Sequence, residues 1–207
     1  MHNSCLCNEE ISLRNRVLMR VPEPDPIFVR HARSVAHRIA DWLGRYDVPM
    51  DGEWIERYSG RKRTLYENAR LDLLFEPIGR RDRFTKSFIK AEKIFDVTKD
   101  PRMIQARMPR YNYEIGNFLK PLEHKLYRLK GTRCLKKWFP PTRLIAKGLD
   151  SRARAMLIRS KLEQFPHGVC YGIDASRFDA HVSKQLLTVE HSVYLRAWRG
   201  NKLLQRP

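Results

Sequence analysis

The sequence is short of negative charge. Its 207 residues hold 23 Asp and Glu against 41 Lys and Arg, a formal net charge of +18. No two aspartates are adjacent anywhere in it. Cysteine is also scarce. Cys5, Cys7, Cys134 and Cys170 are the four, and none forms a Cys-x-x-Cys pair. That excludes a disulfide framework and reads as reduced thiols. His2, Cys5 and Cys7 could clip a metal, but a free terminal tail is the better reading of that segment. No apolar run approaches the roughly 18 residues of a membrane span. The opening MHNSCLCNEE lacks the basic start and apolar middle of a signal peptide. Neither an internal repeat nor a low-complexity segment is present.

Apolar residues make up 42% of the chain, enough to build a core. The excess of cations gives a pI near 10.2. Such an excess lies well beyond what solubility needs and points to a polyanionic partner. Nucleic acid comes first and an anionic membrane surface second.

Local patterns give the elements. Three alternate prolines in RVPEPDPI mark an extended linker, and Asp25 can cap a helix with Pro26 at its first position. Phe28, Val29, Ala32, Val35, Ala36, Ile39, Ala40 and Leu43 recur at helical spacing up to Gly44. Residues 59–75 read as a second helix. Residues 80–93 fit strand or loop, and residues 101–113 fit extended chain. Ile115, Phe118, Leu119, Leu122 and Leu126 have helical spacing interrupted by Pro121, which predicts two short helices or a kink. Pro140-Pro141 marks a loop. Ser151 can cap a helix to about Glu163, with Ala155, Ile158 and Leu162 on its buried face. Residues 166–168 break it, and residues 169–173 read as a short buried strand. Val182, Leu186, Val189, Val193 and Ala197 then share one helix face.

The stretch YGIDASRFDAHVSKQ, residues 171–185, places Asp174 at the end of that strand and Asp179 five residues on. A carboxylate at a strand end is held rigidly enough to grip a divalent cation such as Mg²⁺. Asp179 could return to the same mouth and accept a hydrogen bond from a sugar hydroxyl. The plainer alternative keeps Asp179 as a helix cap and Asp174 as a turn former.

DASRFDAHVS resembles motif A of the RNA-dependent RNA polymerases of small plus-strand RNA viruses, the tombusvirus-like group in particular. FIKAEKIF (88–95), DPRMIQARMPRYNYEIGNFLKPLEHKLY (100–127) and KGLD (147–150) resemble the fingers of those polymerases, including motif F, and YSGRKRTLYENA (58–69) a stretch before it. The resemblance implies an α+β fold: fingers over residues 1–165, then a first palm strand, turn and helix over 166–207, with an incomplete palm and no thumb. It implies Asp174 as a ligand of catalytic Mg²⁺ or Mn²⁺, and Asp179 as a selector of ribose. Lys90, Lys93, Arg102 and Arg107 match motif F positions that contact incoming phosphates. Physics agrees with the residue types, since a triphosphate needs fixed positive charge. Residues 86–137 carry fourteen Lys and Arg against five acids. Tyr111 and Tyr113, within this tract, fit base stacking or core packing equally.

The partners so implied are RNA template and product, nucleoside triphosphates, and the rest of a polymerase. The implied place of work is the host-cell cytoplasm, with membrane-associated replication complexes as a further option. Ser59-Gly60-x3-Thr64-x3-Asn68 has the spacing of motif B but lies before motif A, where the family places motif B after it, so we read it as coincidence. No GDD follows. Two-metal transfer needs carboxylates on both sides of the ions, so the chain is expected to be inactive alone. The alternative is a non-catalytic RNA- or nucleotide-binding module derived from a polymerase.

Overall fold

The computed structural model describes residues 2–93, 98–131, 141–199, 201 and 204. Cys134, Pro140 and the Ile94-Phe95 end of the FIKAEKIF stretch lie outside them. The described residues are mostly helical, with one small sheet, an α+β composition. Helices α1 (Leu6–Ser12), α2 (Pro26–Leu43), α3 (Gly60–Phe75), α4 (Pro109–Leu126), α5 (Ser151–Leu162) and α6 (Lys184–Ala197) frame the antiparallel pair β1 (Thr85–Ile89) and β2 (Met103–Arg107). No helix among the described residues is long and apolar enough to cross a membrane.

The chain divides into two units. One comprises Met1–Glu23, Asp51–Asn117 and Ser176–Val182; the other comprises Pro24–Met50, Phe118–Ala175 and Ser183–Pro207. Helix α4 supplies residues to both.

In the first unit the core is aromatic. Trp54 packs near Tyr66 and Tyr113, with ring centroids 4.9 and 6.0 Å away. Buried Asn117 fixes the indole: its Oδ1 accepts from Trp54 Nε1 at 2.7 Å and from Gly52 N at 3.1 Å. Gly52 sits at φ 79°, and a Cβ there would meet the Tyr113 hydroxyl at 2.9 Å. That hydroxyl donates to Asp51 Oδ1 at 3.0 Å. Tyr113 is thus a core residue, whereas Tyr111 is half-buried beneath the Arg107 guanidinium.

In the second unit, α2 begins where the sequence predicts. Asp25 Oδ1 accepts from Ile27 N at 2.6 Å and Phe28 N at 3.2 Å, and Gly44 ends the helix at φ 78°. Ala36, Ala40 and Leu43 are buried. Phe28, at the start of the same stripe, is exposed. Helix α6 is capped by Ser183, whose Oγ accepts from Leu186 N. The core gathers Leu43, Phe118, Leu122, Ala197 and Trp198. The Phe118 and Trp198 rings meet edge to face at 5.3 Å, and Trp198 Nε1 donates to Phe118 O. Such a pair adds about 1 kcal/mol beyond its buried area.

Several expectations are corrected. Residues 109–113 are helical, not extended, and α4 runs through Pro121 without dividing. Proline removes only the single bond to the carbonyl of Asn117, while Phe118 and Leu122 on either side are buried in the core. Helix α5 is capped by Asp150, whose Oδ1 accepts from Ala153 N, and not by Ser151. It has no buried residue; Ile158 and Leu162 are exposed. The strand expected over residues 169–173 does not form. A strand needs a neighbouring ladder to satisfy its backbone, and the described sheet holds only β1 and β2. Ile173 is left 93% exposed.

Gly116 lies against the anchored indole, where a Cβ would come 2.6 Å from Trp54 Cζ2. Gly116→Ala should therefore destabilise the fold by about 1–3 kcal/mol through overpacking. Gly79→Ala, with open space around its Cβ, should change stability by under about 1 kcal/mol. The midpoints of chemical denaturation check both.

Candidate nucleotide-binding site

The site begins with the β-pair. Thr85 faces Arg107 and Ile89 faces Met103. Lys90 N donates to Arg102 O at 2.8 Å, which extends the same ladder by one step. Lys90 and Arg102 therefore stand opposite each other, and like charges so placed repel. Glu92 resolves the conflict. Its Oε1 takes Lys90 Nζ at 2.7 Å and Arg102 Nη2, while its Oε2 accepts from Arg102 Nε at 2.8 Å. The two-point grip is the geometry a guanidinium offers a carboxylate. Hydrogen bonds from Arg102 and then Lys90 hold the Glu92 carboxyl down at about 2. Lys90 and Arg102 nonetheless remain about half exposed. Reciprocal bridges between His2 and Glu92 pin the backbone there.

The other two sequence-predicted cations behave differently. Lys93 is exposed and has no recorded partner among the described residues. Arg107 is committed: its Nη1 donates to Arg83 O at 2.6 Å, and its guanidinium lies over the Tyr111 ring.

Asp179 sits in a short 3-10 turn, Phe178–His181. It pairs loosely with Arg16 at 3.7 Å and stays exposed. It is near enough to Arg102 to help raise that guanidinium's pKa, after the larger effect of Glu92. Asp179 thus lies within weak electrostatic range of Arg102, in the same unit.

Asp174 belongs to the second unit. It is exposed in an irregular segment and has no recorded partner among the described residues. Mg²⁺ demands six oxygen ligands in octahedral geometry. No group of three His, Cys, Asp or Glu that could hold a metal occurs among the described residues. The residues present do not amount to a metal site, and Asp174 offers a single carboxylate.

Sequence reasoning missed the residue that holds the motif turn. Arg177 adopts the left-handed conformation at φ 51°, unusual for a side chain of its size. Its guanidinium pairs with Asp100 and also reaches Asn15 O. Asp100 accepts from Asn15 Nδ2 at 3.0 Å as well. Its backbone oxygen accepts from Arg16 Nη2. His181 Nδ1 lies 2.8 Å from Arg177 O. These ties compensate a backbone strain of about 1–3 kcal/mol. Both ends of the pair lie inside quoted motif stretches, but no periodicity links residues 77 apart.

The acid pairing sets a pH window. The Glu92 pKa is depressed from 4.5 to about 2. Its contribution to stability is therefore complete above about pH 4.5 and is lost as pH falls towards 2. Carbonyl-detected NMR titration should place the Glu92 midpoint near 2 in the native chain. In Lys90→Ala/Arg102→Ala the midpoint should return towards 4.5.

Comparison with known proteins follows the same residues. The sequence pattern of the family described as "Viral RNA dependent RNA polymerase" matches residues 1–206. The chain is 39% identical over 191 residues to the RNA-directed RNA polymerase of Carnation mottle virus, covering 91% of this chain and 24% of that protein. For Maize chlorotic mottle virus the identity is 37%, with 99% of this chain and 22% of the relative covered. For Tomato bushy stunt virus it is 35%, with 99% and 25% covered. The chain thus spans about a quarter of the length of the curated relatives it matches. No solved structure matches it. With its entire length aligned to these polymerases, the chain belongs to the viral RNA-dependent RNA polymerase family.

Proposed function

We propose that this chain contributes the nucleotide-channel cations and one catalytic carboxylate to a polymerase that copies viral RNA by template-dependent nucleotidyl transfer. The observation that carries the reading is the Lys90–Glu92–Arg102 cluster with Asp179 in electrostatic range. A triphosphate arriving there meets two half-exposed cations on a fixed ladder, already ordered by a carboxylate it can replace. Lys93, exposed and without a partner among the described residues, adds a third charge. Arg107, held on Arg83 O and Tyr111, supplies a fixed one. Cations held in place in this way need only exchange the Glu92 carboxylate for phosphate oxygens.

In this reading Asp179 accepts from the ribose hydroxyl of the incoming nucleotide. Asp174 is one ligand of the divalent ion, Mg²⁺ or Mn²⁺, and the remaining ligands come from sequence outside these 207 residues. Residues 1–165 act as fingers and residues 166–207 as the start of the palm. The partners are RNA template and product, nucleoside triphosphates and the rest of the polymerase. The work is done in the host-cell cytoplasm, with membrane-associated replication sites as a further option. Taken alone, the 207 residues do not synthesise RNA.

The test uses a full-length polymerase containing this chain. Asp174→Ala should lower primer extension on an RNA template by at least about a thousandfold, with RNA affinity held within about twofold. Synthesis that survives the substitution would leave the non-catalytic RNA-binding reading in its place.

A further inference from the structure

Helices α2 and α6 lie side by side with their C-terminal ends together. Tyr46 N donates to Ala197 O at 2.9 Å, and Arg196 reaches Asp41 Oδ1 with Nε at 2.7 Å and Nη2 at 2.6 Å. A cleft of about 520 Å³ opens between them. Its polar lining is His37, Asp41, Arg45, Ser192, Arg196 and Arg199, over Ala40 and Leu195. None of these residues belongs to the nucleotide site described above.

The charge in this cleft is unbalanced. Three guanidiniums face one carboxylate, and that carboxylate is taken by Arg196. Arg45 and Arg199 have no recorded carboxylate partner among the described residues, and both are exposed. Cations just past helix ends often do no more than complement the helix dipole. Here the terminal carbonyls have other donors: Leu43 O accepts from Lys125 Nζ at 2.6 Å, and Ala197 O from Tyr46 N. Among the described residues the two arginines are left with their charge uncommitted, in a concavity that concentrates the field. The volume lies in the range of ligand pockets. It suits a phosphate with its sugar, whose apolar edge can rest on exposed Leu195. Arg30 and Arg33 continue the line of His37 along α2 at three- and four-residue steps. Such a row favours a polymeric anion over an isolated one.

We infer that the α2–α6 cleft binds one ribose-phosphate unit of single-stranded RNA, with Arg45 and Arg199 on the phosphate. The identity of the ligand rests on the polymerase reading above; the cleft itself rests on geometry and charge. The inference adds an RNA contact formed by residues outside the motif F tract and motif A turn.

The test measures binding of a short fluorescent single-stranded RNA to the 207-residue chain across a salt series. Arg45→Ala/Arg199→Ala should weaken binding about tenfold at low salt. It should also make the log–log salt slope shallower by about 0.7, the contribution of the one phosphate neutralised on a single strand. Arg20→Ala/Arg152→Ala removes the same charge from exposed positions elsewhere and should leave the slope within about 0.3 of the native value. Equal losses in the two double variants would reduce the effect to net charge and overturn the inference. An unchanged slope in Arg45→Ala/Arg199→Ala would overturn it too. So would loss of binding to phosphatidylserine vesicles with RNA binding intact, which would make the cleft a lipid site. This readout is binding alone, so it fails or succeeds independently of the Asp174→Ala synthesis assay.

Discussion

Scarcity of carboxylate is the constraint on which this structure depends. With 41 Lys and Arg and 23 acids, many acids must serve more than one donor. Glu92 holds Lys90 and Arg102. Asp100 holds Arg177 and Asn15. Asp51 takes Arg70 and Tyr113, which together keep its carboxyl below the ordinary range. Asp82 accepts from Gly79 N and pairs with Arg110. Glu92 stands between two cations that would otherwise repel, and the other three each pair one arginine with a neutral donor. A chain built this way keeps a large positive surplus and still folds around it.

In the function proposed above, the positive surplus connects fold to function. On the β-ladder, two cations share one acid, Glu92. At the α2–α6 cleft, the carboxylate is paired with Arg196, and Arg45 and Arg199 have no carboxylate partner among the described residues. On that proposal these are two ways of presenting positive charge to phosphate, one through a local carboxylate and one without. The motif turn carries the same logic further. Arg177 spends its charge on Asp100 to hold a left-handed backbone just before the short 3-10 turn that carries Asp179.

The helix signals were legible because they are local. Asp25 followed by Pro26 gives both the cap and the first turn, and Gly44 gives the stop; the structure has all three. The face of Val189, Val193 and Ala197 also follows from spacing alone. What the sequence could not show depends on partners distant in the chain. Residues 169–173 have a strand's composition, but a strand forms only against another strand, and none lies beside it among the described residues. Helix α5 has an apolar stripe with nothing described to cover it. Pro121 looks like a break, yet buried Phe118 and Leu122 flank it in a continuous helix. Among the site residues, the cations and both aspartates were legible as motif positions. Glu92, Asp100 and Arg177 lie in the same motif stretches, but their roles were not legible, because these are pairings between segments.

The most direct measurement of whether Lys90 and Arg102 are held ready for phosphate is calorimetric binding of a nucleoside triphosphate to Glu92→Gln beside the native chain. Removing the competing acid adds one unit of positive charge a few ångströms from the ligand, so affinity should rise roughly three- to tenfold at low salt. Unchanged or weaker binding would contradict the account, and would make Glu92 a structural tie of the β-pair with no bearing on phosphate.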